Sequence, residues 1–194
     1  PEYYLSSNQE PLTNKQLKLA KSMIADLSWR YKTILIPGTA ISMRPKQPSS
    51  YRNVASVYEL GDPVSGSIKN WVCGSDQTFA DSNITGQDID RVEYQSPRCK
   101  EIGSRRAIIE ICNDHVKAKE LNLPVPSRDL QIVLGCSTEL LANQTGKLWL
   151  KPNGIYLEAN CERVGHTCAK YDGKTLEFLP LELHEDYAVA QITN

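Results

Sequence analysis

The sequence predicts an α/β protein, in which β-strands form the core and helices cover it. Three observations carry this. A helical repeat of apolar residues fills the segment after Thr13. Short β-branched runs recur at 33–37, 53–58, 106–112 and 130–134. A second helical stretch, 113–121, stands between two of those runs. Strands alternating with helices indicate a sheet covered by helices. The chain has 194 residues. That length supports a single domain, 1–194, able to bury roughly 70% of its unfolded-state surface.

The elements follow in order. Thr13-Asn14-Lys15-Gln16 fits a capping box, with a hydroxyl at the cap and an amide three residues on. Leu17, Ala20, Ile24 and Leu27 then recur at helical spacing through Trp29, with Lys15, Lys18, Lys21 and Asp26 elsewhere. Residues 41–52 hold two prolines and two adjacent serines and read as a loop. Residues 59–90 hold five glycines or prolines (Gly61, Pro63, Gly66, Gly74 and Gly86) and read as a second loop. Long loops in a compact domain tend to carry function, so substrate selectivity is expected in these two. Arg91 to Tyr94 suits a short strand. The helix from Asn113 ends near Asn122, where Pro124 and Pro126 follow. Gly154 to Ala159 alternates as a strand. Asp172-Gly173 marks a hairpin joining strands near 164–170 and 175–179.

Composition bounds the partners. Hydrophobic residues make up 40% and charged residues 23%, as in ordinary globular proteins. A net charge of −1 argues against nucleic acid or an anionic membrane as a partner. No apolar run approaches the roughly 20 residues that span a bilayer. A cytoplasmic location is expected. Secretion or translocation stays open, because the chain opens on Pro1 rather than Met. The six cysteines are expected as thiols, with a three-disulfide secreted domain as the other reading. Cys161 to Cys168, with His166 between, lacks the second ligand pair of a common zinc finger. No metal and no cofactor are implied.

One segment carries chemistry. Ile108, Ile109 and Ile111 form a buried run that stops at Cys112, and polar Asn113, Asp114 and His115 follow. A strand end is a rigid mount for a nucleophile. A cysteine thiolate is a strong one, and a nearby cation lowers its pKa. Asp114 also suits a helix cap. His115 is read as a surface residue pointing away from the cysteine.

Further segments fall in a telling order. Pro1-Glu2 opens the chain. Ile34 to Thr39 is a strand running into the small-residue turn Pro37-Gly38-Thr39. Asn53-Val54-Ala55 lies on another strand, then comes Lys69, then Ile111-Cys112-Asn113-Asp114. This series resembles the nitrilase, or carbon–nitrogen hydrolase, superfamily over most of residues 1–160. Glu2 to Lys69 spans 67 positions and Lys69 to Cys112 spans 43, similar to the family's gaps.

The resemblance implies a four-layer α-β-β-α sandwich, here expected without the family's first strand and helix. It implies a catalytic set of Glu2, Lys69 and Cys112, with substrate contacts from Asn113, Asp114 and Asp76. Asp81 is an alternative to Asp76, and Lys100 an alternative to Lys69. The implied reaction is hydrolysis of a non-peptide C–N bond in an amide-like small molecule, or a nitrile or carbamoyl compound. A homo-oligomer is implied as well. The other reading is the same fold kept as a binding or scaffold module without turnover.

Overall fold

The computed structural model describes residues 12–44, 47–68, 100–118, 127–135, 148–160, 166–183 and 188–189. Helix α1 spans Asn14–Tyr31. Its start is the capping box expected from the sequence. The Thr13 hydroxyl accepts the Gln16 N–H at 3.3 Å, and Gln16 Oε1 accepts the Thr13 N–H at 2.9 Å. The helix stops at Lys32, which turns left-handed at φ 46°. Ile24 and Ser28 are its buried residues.

Four strands form the first sheet: β1 (Ile34–Leu35), β2 (Thr39–Arg44), β3 (Gln47–Glu59) and β4 (Asp62–Ile68). β3 is its centre and pairs antiparallel with the other three. The first sequence-predicted loop and the start of the second are corrected here, and residues 69–90 lie outside the described residues. Residues 41–52 are mostly strand. Met43 pairs with Tyr51 and Arg44 with Gln47, so Pro48, Ser49 and Ser50 fall in a bulge. A bulge demands no ladder bond from proline. The start of the 59–90 segment is also strand. Leu60 and Gly61 take φ 50° and 91° between paired Glu59 and Asp62, the geometry of a tight hairpin turn. Gly66 sits in β4 because a Cβ there would lie 2.9 Å from the Ala55 carbonyl oxygen. Glycine marked close backbone approach rather than a loop.

The second sheet has six strands in the order β10-β9-β8-β7-β6-β5. These are β5 (Lys100–Ile102), β6 (Arg105–Ile111), β7 (Arg128–Gly135), β8 (Leu150–Asn160), β9 (Thr167–Tyr171) and β10 (Leu176–Phe178). β6, β7 and β8 run parallel, and the other pairs are antiparallel. Helix α2, Asn113–Ala118, begins just past β6. The Asp172 hairpin forms as the sequence indicated, with Oδ1 accepting the N–H groups of Lys174 and Thr175. Two short strands, β11 (Glu182–Leu183) and β12 (Ala188–Val189), pair with each other. The short strand expected at 91–94 lies outside the described residues.

Side-chain alternation sets the layers. Ala107, Ile109 and Ile111 of β6 join Ile132 and Leu134 of β7 and Ala55 and Val57 of β3 in one buried cluster. This is the core between the two sheets. Each fully buried Ile, Leu or Val there contributes roughly 1.5–3 kcal/mol. α1 packs against β1, β2 and β3, and α2 packs against β6. Ile108 faces the other way, toward Ala118 of α2 and Trp149. The layers therefore run α1, first sheet, second sheet, α2. This is the α-β-β-α sandwich expected from the sequence.

Candidate active site at the end of strand β6

Cys112 is the residue between β6 and α2. Its N–H donates to the Leu134 carbonyl at 2.8 Å, which extends the β6–β7 ladder by one rung. Its carbonyl accepts the His115 N–H at 3.0 Å, the first turn of α2. Between those bonds its backbone sits at φ 47°, in the left-handed region. An L-residue other than glycine pays about 1–2 kcal/mol there, and such strain persists only where the surroundings fix it. The result is a sharp turn from strand to helix with the cysteine at its apex. The side chain is half-buried against the edge of the inter-sheet core. Cys112 and Cys168 are both thiols, and burial pushes Cys168 up from its ordinary pKa.

The other expected residues divide. Asp114 is buried in the first turn of α2. Asn113 opens that helix. Glu2, Lys69, Asp76 and Asp81 lie outside the described residues. The approach to Lys69 is described as far as Ile68. Ser67, near the end of β4, donates its hydroxyl to the Ile109 carbonyl at 2.9 Å, joining the first sheet to the strand that carries Cys112. Lys100 fares differently. It pairs with Ala107, five residues before Cys112. At about 3.3 Å per residue, that is roughly 16 Å along β6, beyond a lysine's reach. The register therefore removes Lys100 as the alternative cation.

His115 is not a surface residue: only 2% of it is exposed. Nδ1 donates to Glu110 Oε2 at 2.8 Å. Glu110 also accepts from Gln131 Nε2 at 2.7 Å and from the Trp149 indole N–H at 2.8 Å. Gln131 Oε1 accepts the Trp149 backbone N–H at 3.0 Å. The tilted Tyr156 ring lies 5.9 Å from the His115 ring, centroid to centroid. Next to it, Tyr156 donates its hydroxyl to Glu158 Oε2 at 3.3 Å. Burial pushes the Glu158 carboxyl up to about 7, against the pull of His115 and of hydrogen bonds from Tyr156 and Asn160. Burial raises Tyr156 beyond its ordinary range, and the charges of Glu158 and Glu110 add to it.

Sequence reading missed this polar layer. A signal was present. Glu110 interrupts an isoleucine run that reads as buried, and a buried acid needs a partner. Strand alternation sends Glu110 to the face opposite Ile109 and Ile111, which is the α2 side. Among the described residues, no group of three or more His, Cys, Asp or Glu side chains is placed to hold a metal ion. No described helix is long and apolar enough to cross a membrane.

No protein-family model matches the chain, and no curated protein sequence does either. Solved structures do. A carbon–nitrogen hydrolase from Helicobacter pylori superposes with a TM-score of 0.54 at 14% identity, covering 85% of this chain and 63% of that one. Nit3 from Saccharomyces cerevisiae, a member of the nitrilase superfamily, gives 0.53 at 12% identity, covering 80% and 59%. An amidase from Nesterenkonia sp. AN1, solved with butyramide, gives 0.54 at 14% identity, covering 91% and 70%. This chain thus spans about three-fifths of the length of the first two, at 63% and 59%. The fold is nitrilase-like.

Proposed function

We propose that this chain is a hydrolase that cleaves a non-peptide C–N bond in an amide-like small molecule through a thioester on Cys112. One observation carries the reading: a left-handed cysteine at the apex of a strand-to-helix turn, in a nitrilase-like fold. Such a turn presents a thiol clear of the strand while the sheet holds its backbone. The amide-processing neighbours support an amide-like substrate, with a nitrile or a carbamoyl compound as the alternatives.

In this mechanism Glu2 takes the thiol proton and the Cys112 sulfur attacks the carbonyl carbon. Lys69 and the backbone N–H of Asn113 stabilise the oxyanion. The C–N bond breaks, and the amine leaves with the proton from Glu2. Water, deprotonated by Glu2, then attacks the thioester. The acid is released and the thiol regains its proton. Asp114 and Asp76 contact and orient the substrate. No cofactor enters this cycle. A homo-oligomeric state and a cytoplasmic location belong to the same reading.

The test is a panel of small amides, nitriles and N-carbamoyl compounds, read by ammonia or amine release and by intact mass. Turnover and an acyl adduct on Cys112 are expected. Cys112→Ala should abolish both. Glu2→Gln should stall turnover, and Lys69→Ala should lower it on the scale of a lost oxyanion donor, about 10²–10³-fold. A panel with neither turnover nor adduct would refute hydrolysis and favour a binding module built on the same fold.

A further inference from the structure

We infer that Glu110 and His115 are a positioning pair, which holds Cys112 in the left-handed conformation that presents its thiol. The inference deepens the proposed function and rests on it only for the role of the thiol. The two residues bracket the cysteine, two positions before it and three after. Glu110 leaves β6 on the α2 side, and His115 returns to the same face from the first turn of α2. Their contact at 2.8 Å therefore closes a short loop of chain around Cys112, and each partner is only 2–3% exposed.

Both partners are fixed. The Glu110 carboxylate receives three donors, from His115, Gln131 and Trp149. Trp149 and Gln131 are themselves fully buried, and Gln131 is held by the Trp149 backbone. The Tyr156 ring also packs beside His115. A carboxylate held by three donors cannot swing, so the imidazole cannot either. Through the His115 N–H, the pair reaches the Cys112 carbonyl at 3.0 Å. Leaving one half of a buried, hydrogen-bonded pair unsatisfied costs as much as, or more than, a single left-handed residue does. The pair can thus outweigh the strain at Cys112. A purely structural network would stabilise the whole layer alike. A positioning pair acts on the turn first.

The experiment uses the full chain and two readouts at Cys112: amide hydrogen exchange of Cys112 and His115, and the rate of iodoacetamide alkylation by mass mapping. His115→Leu should speed exchange at those two amides about tenfold or more, while β7 and β8 amides stay protected. It should slow Cys112 alkylation about tenfold. His115→Asn restores a donor near the Nδ1 position and should keep exchange within about threefold of the parent. At pH 4.5, where Glu158→Gln leaves overall stability nearly unchanged, this variant, in the same layer but not bracketing the cysteine, should leave Cys112 exchange within about twofold. Unchanged exchange in His115→Leu, equal loss in His115→Asn, or uniform loss across the sheet would overturn the inference. Should His115→Leu not fold, Trp149→Phe removes one donor to Glu110 and keeps an aromatic ring. It should speed Cys112 exchange about threefold, and no change there would overturn the inference too. A parent thiol no faster than free cysteine would count against the hydrolase reading alone, and the exchange readout would still decide the pair.

Discussion

Glu158 should make this protein lose stability as the pH rises, and Glu158→Gln should remove that loss. In the folded chain the carboxyl is pushed from its ordinary value of 4.5 to about 7, chiefly by burial. The sign follows from proton counts. Between those two values the folded state keeps a proton that the unfolded state has released. The unfolded state binds fewer protons there, so unfolding free energy falls as pH rises. The stabilisation is complete below the unfolded value and is gone once the pH has passed the folded one. At about 1.4 kcal/mol for each pH unit, the full displacement is worth about 3–4 kcal/mol. Glutamine keeps the length and an acceptor for the Tyr156 hydroxyl but never ionises. At pH 4.5 the parent and Glu158→Gln should therefore differ little. At pH 8 the variant should be the more stable by up to about 3–4 kcal/mol. Urea unfolding followed by circular dichroism at pH 4.5, 6 and 8 reads this directly, because other titrating groups act on both chains alike. Parallel stability curves, or a variant less stable than the parent at pH 8, would refute the assignment of a protonated carboxyl to this layer.

Two further outcomes test the scaffold. Gly66→Ala would place a Cβ 2.9 Å from the Ala55 carbonyl oxygen, a backbone atom of the adjacent strand. It should cost about 1–3 kcal/mol, seen as a lower melting temperature, as the β3–β4 pair is forced apart. Thr13→Ala removes the hydroxyl that caps α1 and should cost about 1 kcal/mol in chemical unfolding, whereas Thr13→Ser should recover most of it.

The path from sequence to this site shows which features local chemistry encodes. Capping residues act within one turn, so Thr13 and Gln16 gave the start of α1 correctly. The isoleucine run gave β6, and its abrupt end gave Cys112 as the strand-end cysteine. Asp172-Gly173 encoded its hairpin for the same reason: the turn bonds lie within three residues. Signals that depend on a neighbouring strand were misread. Pro48 looked like a loop residue because its bulge exists only against β2. Gly66 looked like a loop residue because its meaning lies in the carbonyl of Ala55 across the sheet. Leu60-Gly61 is a tight turn without the usual Asn-Gly or Asp-Gly signal.

His115 marks the boundary most clearly. The sequence by itself determined that a histidine follows the cysteine by three residues. It also determined the order of motifs that implied a nitrilase-like sandwich, and the fold agrees. Whether His115 faces solvent or a buried acid was decided by tertiary structure. Glu110 and His115 come from a strand and a helix, and their partners Gln131 and Trp149 come from β7 and the segment before β8. None of these contacts has a fixed sequence spacing, because parallel strands are brought together by crossovers of variable length. Lys100 was decided in the same way. It stands near Cys112 in sequence, yet antiparallel pairing turns β5 back beside the far end of β6. The left-handed backbone of Cys112 is the last such case. A cysteine has no intrinsic preference for it, so only the packed turn between β6 and α2 can hold it there.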